Sequence, residues 1–272
     1  CAAPTATPTP APPSPSPGAT ATATRPATST ATASPSPSPT PSASATRPPE
    51  RHTIYLPAAD RQPACREAAR PVDVVLVLDR STSMLRPAAD GLLPKNEAAI
   101  GAARTFVGLL RMDAGPDPER DRVAVVGFND VAWTEEPLTG DRMRALLALG
   151  RLEARTAEGT RLDLALEEGQ AALDAGPPRP DALAVLVLLT DGLPNRVPTP
   201  AAGGTQADTV AAHARRVKER GTRVFTVGLG QSEDVLGPLL GEVASSPDMC
   251  YLAPTGEDLD DIYRRIAGTI LR

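Results

Sequence analysis

The sequence is poor in the residues on which most enzymatic sites depend. It has two histidines and three cysteines in 272 residues, and His52 and His213 lie far in sequence from any candidate nucleophile. It contains no G-x-S-x-G elbow, P-loop or G-x-G-x-x-G loop. It also has no Cys-x-x-Cys pair, which argues against a cysteine zinc site. We therefore expect a protein without enzymatic activity.

Other absences limit the classes of partner. Aromatic residues make up 3% of the chain, the formal net charge is −5, and no basic cluster with interleaved aromatics occurs. Nucleic-acid binding needs such a basic surface, so we expect no nucleic-acid partner. The sequence also lacks a run of about 20 apolar residues, the length that a membrane-spanning helix requires.

The first quarter of the chain differs sharply from the rest. Residues 1–50 are almost entirely Ala, Pro, Ser and Thr, which bury too little apolar surface to offset chain entropy, so a disordered tether is predicted. The prolines favour extended structure of at most ~3 Å per residue, and the composition is typical of a plain spacer or an O-glycosylated stalk. Residues 51–70 are predicted to be a linker with a short apolar segment at 54–57.

Residues 71–272 are long enough for one well-buried domain. Continuous apolar segments alternate with amphipathic ones, which predicts an α/β fold with a doubly wound, mostly parallel sheet flanked by helices. The predicted strands are 72–79, 122–129, a short edge strand at 132–134, 182–190, 224–228 and 249–252. The predicted helices are 98–112, 141–152, 160–174, 205–220, 234–244 and 257–271.

Three polar segments follow or precede these predicted elements. The first strand leads into the run Asp79-Arg80-Ser81-Thr82-Ser83, which places hard oxygen donors suited to Mg²⁺ on one loop. Thr160 follows a glycine at the start of a helix, and Asp191 follows the long apolar strand at 182–190. Taken singly, each segment also fits an ordinary helix cap or turn.

Together and in this order, the three segments resemble the metal-ion-dependent adhesion site of the von Willebrand factor type A domain. The resemblance covers the whole of residues 71–272. It implies a Rossmann-like strand order in which the first and fourth long strands are neighbours, so that the loops at Asp79 and Asp191 face each other.

The resemblance also implies a ligand set and a function. Ser81, Ser83 and Thr160 would coordinate Mg²⁺ (or Mn²⁺ or Ca²⁺) directly or through water, while Asp79 and Asp191 bind it directly or accept from its waters. A protein ligand presenting Asp or Glu would then complete the metal's coordination. The alternative is an accessory or structural subunit that uses the same fold for constitutive assembly with membrane proteins.

Several neighbouring residues carry expectations of their own. Glu158 is expected to point into solvent, and Asp130 to be a turn residue. Arg80 and Arg161 either offset the charge of Glu158 or help to bind a partner carboxylate, or they are ordinary surface arginines. Asp191 is expected to contribute little to packing, because it lies in a loop at a strand end.

The cysteines bear on anchoring and on covalent structure. Cys1, at the head of the Pro/Ser/Thr-rich tether, resembles the lipid-bearing residue of a mature bacterial lipoprotein. That resemblance implies attachment to the extracytoplasmic face of a bacterial membrane, and an arbitrary start of the sequence is the alternative. In an oxidising compartment, Cys65 and Cys250 would form a disulfide; otherwise they are two free, buried cysteines.

Overall fold

Within the described residues, the centre of the fold is a six-stranded sheet. Its strands are β1 (Val72–Asp79), β2 (Arg122–Phe128), β3 (Ala132–Thr139), β4 (Leu183–Thr190), β5 (Arg223–Leu229) and β6 (Cys250–Ala253). Their order across the sheet is β3-β2-β1-β4-β5-β6, and neighbours are parallel except for the antiparallel edge pair β2–β3. The computed structural model describes residues 70–88, 93–113, 119–200, 203–230 and 233–272.

Six α-helices accompany the sheet in this part of the chain. They are α1 (Lys95–Leu109), α2 (Arg142–Leu152), α3 (Leu162–Asp174), α4 (Gln206–Glu219), α5 (Glu233–Val243) and α6 (Gly256–Ile270). Capping boxes at Thr205 and Thr255 satisfy free backbone N–H groups at the starts of α4 and α6. Asp141 caps α2 by accepting from two backbone N–H groups.

The apolar residues form two cores, one on each face of the sheet. In β1, Val74 and Leu76 belong to the core that includes residues of α1, α2 and α6, whereas Val75 and Val77 belong to the core that includes residues of α3 and α4. This division follows from the alternation of side chains along a strand. All eight residues of β1 are buried, as expected of a central strand covered on both faces.

The predicted fold class and strand neighbours are confirmed, and the bounds of two elements need the largest correction. β1 pairs with β4 in parallel, as the family resemblance implies. α1 begins and ends three residues earlier than predicted. Its N-cap is Pro94, and the polar residues Lys95, Asn96 and Glu97, which the prediction assigned to a loop, form its first turn. β3 extends five residues beyond the predicted edge strand, and an edge position tolerates Pro137 within it.

Some predicted features lie outside the described residues. These are the tether, the linker up to residue 69, Cys1 and Cys65. Cys250 is half-buried and forms no disulfide with another described residue, so its pairing with Cys65 stays a prediction. Among the described helices, none combines the length and the apolar character needed to cross a bilayer.

Candidate functional site

The candidate site lies at the carboxyl edge of the sheet, where β1 and β4 end side by side. Asp79 is the last residue of β1, and Asp191 directly follows the last residue of β4. Because these two strands are parallel neighbours, their following loops meet at one edge. In open α/β sheets such a meeting point is the usual place for a ligand.

Asp79 organises the first loop from a fully buried position. Its Oδ1 accepts a hydrogen bond from the Ser81 backbone N–H over 2.7 Å, and its Oδ2 accepts from the Thr190 hydroxyl over 2.6 Å. The carboxylate therefore joins the turn after β1 to the last residue of β4. Thr190 was not predicted as a site residue, although it directly precedes Asp191 in the sequence.

Burial determines the acidity of Asp79. Loss of solvation raises its pKa to about 6, and the nearby charge of Asp191 acts in the same direction. Hydrogen bonds from Ser81 and Thr190 act in the opposite direction without cancelling the effect of burial. A cation beside this carboxylate would favour its ionised form for the same electrostatic reason.

A line of hydrogen bonds connects the first loop to Asp191. The hydroxyl oxygens of Ser81 and Ser83 are 2.9 Å apart, and the Ser83 hydroxyl donates to Asp191 Oδ1 over 2.6 Å. A short 3₁₀ helix, Thr82–Leu85, turns Ser83 back toward the strand ends, and its buried Met84 holds the turn in the core.

Asp191 is more buried than expected, with a side chain only 1% exposed. Its Oδ2 accepts a hydrogen bond from Lys95 Nζ over 2.9 Å, and its Oδ1 accepts from Ser83. The expectation that Asp191 contributes little to packing is therefore wrong, because both carboxylate oxygens have protein partners. Lys95, at the start of α1, is a site residue that the sequence interpretation missed.

Thr160 is buried in the second loop, two residues before the first residue of α3. Its backbone N–H donates to Asn195 Oδ1 over 2.9 Å, and the Asn195 N–H donates to the Thr160 carbonyl. Gly159 precedes it with a φ of 105°, a conformation that favours glycine. Asn195 was also missed, and no pattern in the sequence distinguishes it from other loop asparagines.

Backbone contacts bring the second loop against the first. The Ala157 N–H donates to the Arg80 carbonyl over 3.1 Å, and Ala157 forms an isolated parallel bridge with Ser81. The structure thus joins Asp79, Ser81, Ser83 and Asp191 by direct hydrogen bonds, and it joins Thr160 to them through its loop. Their coordination of a cation stays a prediction.

Arg80 lacks the surface position that was expected of it. Its side chain is buried, and Nη2 donates to the Glu153 carbonyl over 3.1 Å and to the Thr156 hydroxyl over 3.2 Å. Its Nε has no hydrogen-bond partner among the described residues. Burial lowers the pKa of this guanidinium, while the charges of Asp79 and Glu153 partly offset that effect. Arg80 therefore fixes the second loop and cannot reach a partner carboxylate.

The remaining charged residues around the site pair with one another. Glu158 is largely exposed, as expected, and it accepts from Arg196, which also pairs with Asp130. Arg161 makes a two-point contact with Asp163, so its guanidinium already has a carboxylate partner within the chain.

The donor set fits a hard divalent cation. Two hydroxyls and two carboxylates lie in one hydrogen-bonded group, and such oxygen ligands suit Mg²⁺, Mn²⁺ or Ca²⁺. The described residues hold no cluster of three or more His, Cys, Asp or Glu with metal-binding geometry. Cation binding here would therefore depend on the serine and threonine hydroxyls.

The curated relatives of the chain include two matrilins. Matrilin-4 of Homo sapiens is 28% identical over 213 residues, which cover 76% of this chain and 30% of matrilin-4. Matrilin-1 of Bos taurus is 24% identical over 189 residues, which cover 67% of this chain and 30% of matrilin-1. The matched region therefore spans less than a third of these relatives.

Solved bacterial structures show the same fold. The von Willebrand factor domain of the type V pili tip protein Mfa5 from Porphyromonas gingivalis has a TM-score of 0.61 and 16% identity, and the match covers 74% of this chain and 95% of that one. The pilus adhesin SpaC from Lactobacillus rhamnosus GG has a TM-score of 0.59 and 19% identity, covering 74% of this chain and 31% of SpaC.

The family profile of the von Willebrand factor type A domain matches residues 73–265, a range that extends from β1 into α6. The matched range contains the loops after β1 and β4 and the loop before α3. The chain belongs to the von Willebrand factor type A domain family.

Proposed function

We propose that this protein is a surface-exposed binding module that captures a protein ligand through a divalent cation at Asp79, Ser81, Ser83, Thr160 and Asp191. The observation that carries the proposal is the hydrogen-bonded line from Asp79 through the two serines to Asp191. The names of similar proteins, a pilus adhesin and a pili tip protein among them, support a role in adhesion.

Each residue has a distinct part in this proposal. The hydroxyls of Ser81, Ser83 and Thr160 bind the cation, and the carboxylates of Asp79 and Asp191 neutralise it directly or accept from its waters. When bound, the cation offers an open coordination position to an Asp or Glu of the partner. Asp79 also holds the first loop in place by accepting from the Ser81 N–H.

The proposed activity is binding and not catalysis. The carboxylates of the site are occupied by hydroxyl, amide and ammonium donors. Among the described residues the one histidine, His213, lies within α4 and lines a surface groove with Asp174 and Arg220, so it gives no support for a general base at the site. The surface around the loops would then determine which protein is bound.

We further propose that lipid on Cys1 attaches the protein to the extracytoplasmic face of a bacterial membrane and that residues 1–50 hold the domain away from it. More than one acyl chain on Cys1 would give stable attachment. Detergent phase partitioning of the natively expressed protein tests this proposal. A Cys1→Ser variant that partitions like the wild type would contradict it.

Titration of the full chain with Mg²⁺ or Mn²⁺ by calorimetry tests the cation site. We expect one site in the wild type and at least about tenfold weaker binding in a Ser81→Ala/Ser83→Ala variant, because two hard ligands are lost. Asp174→Asn is the matched control, since Asp174 ends α3 and is half-exposed. Unchanged affinity in a folded Ser81→Ala/Ser83→Ala variant would rule out the assigned ligands.

Capture of a partner requires a second experiment. The immobilised full chain is incubated with cell-surface and matrix extracts in Mg²⁺, with and without EDTA, beside the double-serine variant. The proposal predicts a bound protein that both EDTA and the variant remove. Equal, EDTA-insensitive capture by both proteins would instead favour constitutive assembly with membrane proteins.

A further inference from the structure

Lys95 gives the candidate site a cationic partner from within the chain. Its Nζ lies 2.9 Å from Asp191 Oδ2, and the two side chains are only 17% and 1% exposed. The ammonium is thus held in a partly dry environment against a carboxylate that the proposed function assigns to a divalent cation. The other oxygen of this carboxylate accepts from Ser83.

Apart from this contact, the position of Lys95 is unfavourable for a positive charge. It is the first residue of α1, where the helix dipole disfavours a positive charge. The chain has only two lysines against 26 arginines, and Lys95 is one of them. A compact, flexible ammonium can approach and leave a carboxylate more readily than a two-point guanidinium contact can.

The surroundings fix the start of α1 and bring the backbone of Gly230 close to the ammonium. The Lys95 N–H donates to the Arg86 carbonyl, and Pro87 and Pro94 form an antiparallel bridge beside it. Gly230, with a φ of 127°, approaches the amine so closely that a Cβ there would lie 3.3 Å from Nζ. A side chain at residue 230 would crowd the ammonium, so glycine here serves both the backbone conformation and the contact.

We propose that Lys95 is the resident cation of this site: its ammonium and a divalent cation are alternative partners of Asp191, so that binding of the ion releases Lys95. This inference rests on the proposed function. Two cations sharing one buried carboxylate repel each other strongly, because the surrounding dielectric is low. Lys95 therefore lowers the affinity of the site for divalent ions.

The exchange raises the ion concentration at which half of the sites are loaded. The apparent dissociation constant of the ion equals its intrinsic value divided by the fraction of protein in which Lys95 has left Asp191. By reciprocity, saturation with the ion increases the fraction in which the amine is free. Lys95 thus links the availability of the ion to the charge displayed next to the partner-binding position.

Calorimetric titration of Mg²⁺ into full-length Lys95→Met provides the first test. Methionine keeps most of the length of the lysine side chain and removes its charge. We expect at least about tenfold tighter Mg²⁺ binding than in the wild type. Lys218→Met is the matched control, because Lys218 donates to the carbonyls of Glu242 and Ala244 at the end of α5 and should leave Mg²⁺ affinity unchanged.

Amine labelling of the wild type provides a second test that needs no variant. Brief acetylation followed by peptide mass spectrometry measures the reactivity of Lys95, with Lys218 as the internal reference. Saturating Mg²⁺ should raise the initial rate at Lys95 at least about threefold and leave Lys218 unchanged. Bound Mg²⁺ with an unchanged Lys95 rate would overturn the exchange, whatever the affinity of Lys95→Met.

The outcomes separate the inference from the proposed function. If the wild type and Lys95→Met bind Mg²⁺ equally well, the inference is wrong and the cation site stands. If neither protein binds Mg²⁺ or Mn²⁺, the proposed function fails and the inference fails with it. Tighter binding by Lys95→Met together with faster labelling of Lys95 supports both.

Discussion

The Ser83 hydroxyl donates to Asp191 Oδ1 over 2.6 Å, although 108 residues separate the two in the chain. The contact exists because β1 and β4 are adjacent parallel strands whose ends meet. It joins a loop of the first half of the domain to a loop of the second half. The carboxylate of Asp191 is therefore buried, and each of its oxygens accepts a hydrogen bond.

Substitution of Ser83 by alanine should destabilise the domain by about 1–3 kcal/mol, because a buried carboxylate oxygen loses its donor. Urea denaturation monitored by circular dichroism measures the change. Thr269→Ala is the control, since its hydroxyl donates to the Arg265 carbonyl on the exposed side of α6. Equal stability of Ser83→Ala and Thr269→Ala would contradict the importance assigned to the Ser83 contact.

Substitution of Gly159 by alanine should cost about 1–2 kcal/mol and weaken cation binding. Its φ is 105°, and a Cβ would approach Asp130 Cβ to 3.0 Å and Arg196 Cδ to 3.1 Å, so the loop that carries Thr160 must shift. Gly268→Ala in α6 has open space around its Cβ and should instead stabilise by up to about 1 kcal/mol. Thermal denaturation and Mg²⁺ titration of both variants check these expectations.

The stability of the domain in acid should depend on Asp73. Burial raises the pKa of this carboxyl, but the hydrogen bonds and charges of Arg122 and Arg179 together lower it by more. The pKa of Asp73 in the folded protein therefore lies below its ordinary value. The folded protein therefore holds the ionised form more strongly than the unfolded chain does. That contribution is fully present above about pH 4 and is lost as the pH falls through the lowered folded pKa.

Asp73→Asn should accordingly be less stable than the wild type by about 3 kcal/mol at pH 7, because two largely buried arginines each lose an ionic contact. The difference should stay constant between about pH 5 and 7 and shrink below about pH 4. Glu153→Gln breaks a half-exposed pair with Arg104 and should cost less than about 1 kcal/mol. A wild-type advantage that persists undiminished at pH 2 would contradict the assignment to Asp73.

A disulfide between Cys65 and Cys250 is testable by thiol counting on denatured, unreduced Cys1→Ser protein. We expect no free thiol, and reduction should lower stability by as much as about 4–5 kcal/mol, because the closed loop is long. A count of two thiols would show that both cysteines are free. Cys250 is half-buried at the start of β6, an edge strand of the sheet.

The fold class and most elements could be predicted from the sequence because their signals are local. The apolar run that forms β1 and the acidic N-cap of α2 are read from neighbouring residues. Asp79, Ser81 and Ser83 were candidate ligands for the same reason, since they lie at the end of an apolar strand and in the turn after it. Thr160 and Asp191 were added by the resemblance to the von Willebrand factor type A domain, because each alone also fits a helix cap or a turn.

The partners of these residues were decided only by tertiary structure. Nothing near Lys95 in the sequence indicates Asp191, because the strand order alone brings α1 and the loop after β4 together. Likewise, Arg80 stands in a polar loop, yet the second loop covers it and buries its guanidinium. Local pattern determines which residues occur at the ends of strands, whereas long-range packing determines how buried they are and which charges face them.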